Sequence, residues 1–281
     1  MDSMSDSDGG RDVRRALSGL RTSPRKGLAQ HFLVSQRVLN RIIQAAELTS
    51  DDVVIEIGPG LGVLTGEMAC RVRKLIAVEL DEQLARSLQD VFSKTANVRI
   101  VQADARLVDV DALLEGEGTY KVVANLPYYA ANPIVRRFLA CPPRPSLLVV
   151  TVQREVAQRM AARPGQMSLL SVATQLYARP RIVCYVPPGA FRPPPKVSSA
   201  VVRLDVRDKL AVDVVDTEAF FRVVRAGFSA PRKQLRNAIG KGLDVPVAEV
   251  EARLRDTGID YKRRAETLTL DEWGILYRAF A

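Results

Sequence analysis

Five short runs of aliphatic and β-branched residues, at 53–58, 74–80, 98–104, 121–125 and 147–152, are apolar without the every-second-residue alternation of a half-wet strand. Strands of that kind are buried on both faces. Between them the spacing turns helical, at 34–46, 62–71, 82–92, 133–139 and 153–162. Strand alternating with helix predicts an α/β fold: a Rossmann-like parallel sheet with helices on both faces.

Outside that core the chain changes character. Residues 1–21 are Ser/Asp/Gly-rich, then Arg-rich, without periodicity, and are expected to form a disordered arm. Two later β-rich runs, 182–186 and 200–206, flank a segment at 187–196 with five prolines, which predicts a stiff rim rather than a central strand. Beyond 207 the pattern is helical, at 217–228, 232–239, 247–255 and 270–280. Three parts are therefore expected: the arm over 1–21, a sheet domain over 22–206 that carries the site, and a smaller C-terminal helical domain over 207–281.

The 281 residues suit one large and one small domain, and a formal charge of +9 favours a polyanionic partner such as nucleic acid. Cys70, Cys141 and Cys184 are odd in number, widely spaced and form no CxxC pair, so neither a disulfide framework nor a zinc cluster is indicated. His31 is the only histidine, which argues against a histidine-based metal site or catalytic dyad. The longest apolar stretch, near 147–152, is far too short to span a bilayer. A cytoplasmic protein acting as a monomer, without membrane attachment, is expected.

The ends of the predicted strands carry the chemistry. The first runs into Gly58-Pro59-Gly60-Leu61-Gly62, a turn that lets a ligand approach the backbone. Val63 occupies the place of the third small residue of a dinucleotide fingerprint, which disfavours a nicotinamide oxidoreductase. Glu79 ends the second strand, where a carboxylate can accept both hydrogens of a ribose diol. Asp104 ends the third and Asn125 the fourth. Each alone reads equally well as a helix cap. Together they describe a nucleoside site, with ribose on Glu79, adenine near Asp104, and the reacting end near Gly58 and Asn125; Gly60 of the same turn is a further expected cofactor contact.

Asn125-Leu126-Pro127-Tyr128-Tyr129 is the most informative stretch. The amino group of adenine is a weak nucleophile because its lone pair is delocalised into the ring. Hydrogen-bond acceptors that draw it toward tetrahedral geometry restore its reactivity. Asn125 offers an amide oxygen and the Leu126–Pro127 backbone a carbonyl, while Pro127 stiffens the corner and Tyr128 gives a flipped base a face to stack on. Phe191, in the proline-rich rim, reads either as a second wall closing on the base or as a core side chain.

These residues match a known family in order. Gln30-His31-Phe32-Leu33, Glu56 to Thr65, Val78-Glu79-Leu80-Asp81, Asp104-Ala105, Asn125 to Tyr129, and Phe191 to Ser199 give a chain that resembles the ribosomal RNA adenine N6 dimethyltransferases of the bacterial KsgA type, from about Thr22 onward. The resemblance implies S-adenosylmethionine as cofactor, contacted by His31, Leu33, Gly58, Glu79, Asp104 and Asn125. It also implies a target base held by Asn125 to Tyr128 with Phe191. The implied substrate is a pair of adjacent adenosines in the last hairpin loop of small-subunit rRNA, each methylated twice as the subunit assembles. Two places depart from the family pattern: Ala130-Ala131-Asn132 after the tyrosines, and Pro231 where a basic residue is common.

Arg222, Arg225, Arg232, Lys233, Arg236 and Lys241 fall within 221–243 with no acid among them, so this stretch is expected to bind RNA phosphates from a pair of helices. Two other readings share much of the pattern: an Erm-type enzyme modifying one adenosine of large-subunit rRNA, and an RNA-binding assembly factor that has lost turnover.

Overall fold

A computed structural model describes residues 31–280. The expected arm over 1–21 lies outside them. The described chain divides into two compact units, one comprising 31–157 and 181–206, the other 158–180 and 207–280.

The first unit opens with β1 (Phe32–Leu33) and α1 (Gln36–Ala46), then alternates through β2 (Val53–Ile57), α2 (Val63–Ala69), β3 (Lys74–Glu79), α3 (Glu82–Phe92), β4 (Val98–Gln102) and α4 (Val110–Leu114). It continues with β5 (Lys121–Asn125), α5 (Ala131–Ala140) and β6 (Leu147–Gln153); α6 (Arg154–Met160) crosses into the second unit, followed by α7 (Leu169–Tyr177). The chain returns through β7 (Ala178–Val186), β8 (Phe191–Arg192) and β9 (Ser199–Val206). In the second unit come α8 (Thr217–Phe228), α9 (Leu235–Leu243), α10 (Val247–Asp256) and α11 (Leu270–Phe280).

Seven strands form one sheet in the order β4-β3-β2-β5-β6-β9-β7. The pairs among β2 to β6 are parallel, and β9 lies antiparallel to β6. All five residues of β2 are buried, as burial on both faces requires. At the sheet's margin, β4 is only partly buried. α1 turns Val38, Leu39, Ile42, Ala45 and Ala46 inward, the spacing of an amphipathic helix.

From β2 the chain builds outward to β3 and β4, then returns to place β5 on the other side of β2. Ligands of open α/β sheets bind at such a reversal, beyond the carboxyl ends of the strands. Ile57 pairs with Ala124, so Gly58 and Asn125 follow side by side. They are neighbours: a Cβ on Gly58 would lie in van der Waals contact with the Asn125 carbonyl oxygen, at 3.8 Å.

The sequence pattern placed 158–180 in the sheet domain, whereas these residues pack with 207–280. The reason is local bonding. The Gln175 side chain donates to the carbonyls of Met160 (2.9 Å) and Ala162 (2.8 Å), the Gly165 and Met167 N–H groups donate to Glu266, and Arg207 and Ala211 donate to Tyr177 and Leu176. In the same unit Gly227 admits the Trp273 ring where a Cβ would lie 2.4 Å from it, and Gly242 admits the Ala226 backbone at the same spacing. Only glycine allows those approaches.

Candidate active site

Eleven residues singled out from the sequence line one cavity at the carboxyl edge of the sheet: His31, Leu33, Gly58, Gly60, Glu79, Asp104, Asn125, Leu126, Pro127, Tyr128 and Phe191. Gly58, Gly60 and Gly62 all adopt positive φ, which folds the loop after β2 into a turn that L side chains resist. A Cβ on Gly60 would come within 3.0 Å of the Phe32 ring, so the loop packs against β1 only because that carbon is missing.

Glu79 is nearly buried, and its carboxylate is fixed by main-chain donors on both oxygens: Gly60 N–H at 3.1 Å and Asp81 N–H at 2.9 Å. A carboxylate offers about four acceptor positions, so each oxygen keeps one for a hydroxyl pair. Burial raises its pKa, against the lowering effect of those N–H groups. Beneath the glycine loop lies a second acid that the sequence reading gave no role. Glu56 is fully buried, lines the cavity and shares a 2.6 Å hydrogen bond with the Thr65 hydroxyl. Burial, with the nearby Glu79 charge adding to it, pushes its pKa up to about 8.

Asp104 is engaged by a neighbour. The Arg106 guanidinium reaches both carboxylate oxygens at 2.5–3.0 Å and the Arg106 N–H adds a bond of 2.9 Å, which together hold the Asp104 pKa down. Any donor that uses Asp104 as its acceptor must share it with, or displace, that guanidinium.

Asn125 ends β5 with its amide nitrogen donating to the His31 carbonyl at 3.1 Å. That bond fixes which end of the amide is which, and leaves Oδ1 as the acceptor. His31 is itself pinned, since Nδ1 lies 2.8 Å from the Pro193 carbonyl and must carry the hydrogen there. The corner after Asn125 is a tight turn, with Leu126 N–H bonded to Thr151 and the Pro127 carbonyl taken by Ala130 N–H. The Leu126 carbonyl is therefore the main-chain acceptor of the corner. The Ala130 departure from the family pattern contributes to the cavity wall.

Tyr128 is held by a residue that the sequence reading missed: its hydroxyl lies 2.5 Å from Oγ of Ser199, which is completely buried at the start of β9. The Tyr128 and His31 rings face each other at 5.7 Å. Phe191 pairs with Leu33 across β8 and β1 and belongs to the core, yet it also forms cavity wall.

The basic residues of 221–243 lie in the second unit and differ among themselves. Arg232 and Lys233 occupy the turn before α9 rather than a helix, because the helix starts after Gln234, three residues beyond Pro231. The expectation of an acid-free face also needs correction. Arg236 is paired with Glu251 of α10, and Arg225 lies 3.6 Å from Glu218. Arg222, Arg232, Lys233 and Lys241 are exposed, with no ion pair among the described residues.

A family model described as ribosomal RNA adenine dimethylase matches residues 21–280. The chain belongs to that family. It is 44% identical over 264 residues to a ribosomal RNA small subunit methyltransferase A of Dehalococcoides mccartyi, covering 94% of this chain and 91% of the relative. The same-named protein of Moorella thermoacetica is also 44% identical, over 91% and 92% of the two chains. Among solved structures, the 23S rRNA methyltransferase ErmE superposes with a TM-score of 0.70 at 28% identity, over 89% of this chain and all but 1% of that one. A dimethyladenosine transferase from Plasmodium falciparum reaches 0.75 at 24% identity, over 88% of this chain and 96% of that one, and shares the fold. The chain has a mostly parallel sheet, and no helix among its described residues is long and apolar enough to cross a membrane.

Proposed function

We propose that this dimethylase uses S-adenosylmethionine to methylate the N6 amines of two adjacent adenosines in the 3'-terminal hairpin loop of small-subunit rRNA, during assembly of the subunit. The observation that carries the reading is the Asn125 amide, tied by its nitrogen to His31 so that its oxygen is the free end, beside the glycine turn. The names and high identities of the small-subunit relatives support the choice of RNA.

The residues present fit the cofactor. Glu79 keeps one acceptor position on each oxygen for a ribose diol, Asp104 offers an acceptor for an adenine amine, and Gly58 and Gly60, both at positive φ, bring bare main chain to the cavity wall. When bound, S-adenosylmethionine supplies a methyl group activated by its sulfonium. The chain does the rest by positioning. Asn125 Oδ1 and the Leu126 carbonyl accept the two hydrogens of the target amine and turn its lone pair out of the ring. Tyr128, steadied by Ser199, stacks under the base. As the new N–C bond forms, the nitrogen becomes acidic and its surplus proton leaves to water, so no strong base is required.

The test is Asn125→Ala assayed on assembling small-subunit particles. Methyl transfer is expected to fall by about 10²- to 10³-fold, the scale of losing one aligned polar group at a reacting centre, with RNA affinity nearly unchanged. A wild-type rate in that variant overturns the mechanism. Methylation of naked large-subunit RNA in preference to small-subunit particles overturns the substrate.

A further inference from the structure

At the end of β6 the sheet presents a group that the site above does not use. Gln153 pairs with Ser199, the residue that steadies Tyr128, and the next residue, Arg154, donates its N–H to the Ser198 carbonyl at 2.9 Å. Its guanidinium lies over the ring of Tyr185 on β7, 4.7 Å from the centroid. Arg154 is exposed and has no carboxylate partner among the described residues, and Tyr185 is 51% exposed. A large aromatic left half in water, capped by an unpaired guanidinium, contributes little to the core.

Given the reading of the chain as an RNA methyltransferase, we infer that Arg154 and Tyr185 form a stacking platform for the nucleotide flanking the target adenosine. The chemistry fits a single strand. An aromatic face and a guanidinium plane accept any base. The position fits too, since the platform follows by one residue the strand position that pairs with Ser199. A flipped adenosine against Tyr128 leaves its neighbour unstacked, and that base needs a surface.

The experiment measures steady-state kinetics and fluorescence anisotropy on a short RNA hairpin carrying the adenosine pair, with S-adenosylhomocysteine as the probe of cofactor binding. Tyr185→Leu is expected to raise KM and the RNA Kd by on the order of tenfold, with kcat and S-adenosylhomocysteine affinity within twofold. Tyr185→Phe keeps the ring and is expected to restore wild-type values. Arg154→Gln, which leaves the strand intact, should reproduce part of the Tyr185→Leu effect and stands in for it should the leucine variant not fold. Wild-type KM in Tyr185→Leu, or equal losses in Tyr185→Leu and Tyr185→Phe, overturns the platform while the methyltransferase reading stands. Wild-type protein that methylates neither the hairpin nor assembling small-subunit particles overturns both.

Discussion

Glu79, Asn125 and Tyr128 are each anchored: the first by the Gly60 and Asp81 N–H groups, the second by the His31 carbonyl, the third by a buried serine. Arg222, Arg232, Lys233 and Lys241 stand in water with no ion pair among the described residues. The contrast matches the two kinds of work proposed for these residues. Chemistry on an amine depends on angles and distances set beforehand, so its groups are locked into the backbone. Attraction of a phosphate chain depends on charge more than on placement, so its groups are left free. Damage to the anchored set should be steep and insensitive to salt, whereas damage to the free set should be graded and should fade as salt rises.

The largest effect beyond Asn125→Ala is expected at Glu79. Glu79→Ala removes both diol acceptor positions and releases two main-chain donors, so S-adenosylmethionine affinity should drop about 100-fold by calorimetry, with RNA affinity kept. Parallel loss of RNA binding would erase the distinction between the two regions. Next comes the pair Arg232→Glu with Lys233→Glu, expected to raise KM for RNA on the order of tenfold at low salt and much less at high salt. Adding Arg236→Glu should behave differently, because it sets a like charge beside Glu251 and lowers stability by about 1 kcal/mol.

A pH series sharpens the comparison from the anchored side. With its pKa near 8, Glu56 is mostly protonated at pH 6 in the ligand-free cavity. A cationic ligand favours the ionised carboxylate, so binding expels a proton and affinity should rise between pH 6 and 8, by up to about tenfold, then level off. Glu56→Gln should flatten that profile. The same raised pKa stabilises the ligand-free fold fully below its ordinary value near 4.5, and that contribution is lost as pH climbs through 8, so the melting temperature should decline across this range in wild type and less in Glu56→Gln. The smallest effect is expected at Arg106→Ala. Uncovering Asp104 should tighten S-adenosylmethionine binding two- to fivefold. Weaker binding would mean that the guanidinium assists the adenine rather than competing with it.

The strand-end groups were legible because a parallel sheet puts every carboxyl end on one edge, so four strands in order predict four neighbours in space. Ser199 was not, since a single serine after a proline run carries no periodic signal and its partner lies 71 residues away. Arg106 sits two residues from Asp104 and still reads as ordinary surface charge. In the second unit the acid that pairs with Arg236 lies on the next helix, 15 residues on, and extended backbone at Gln234 starts α9 later than spacing alone implies. The membership of 158–180 was hidden for a related reason. Its ties are to Glu266 and to main-chain carbonyls, which any sequence supplies.

The atom that orients the Asn125 amide is a peptide oxygen, and this has a practical side. No exchange of the imidazole for another side chain deletes that oxygen, so mutational scanning at position 31 would report only on ring contacts and overlook the stronger influence. A wedge that pried the short ribbon of β1 and β8 off the sheet would rotate the amide and silence the enzyme while competing with neither substrate.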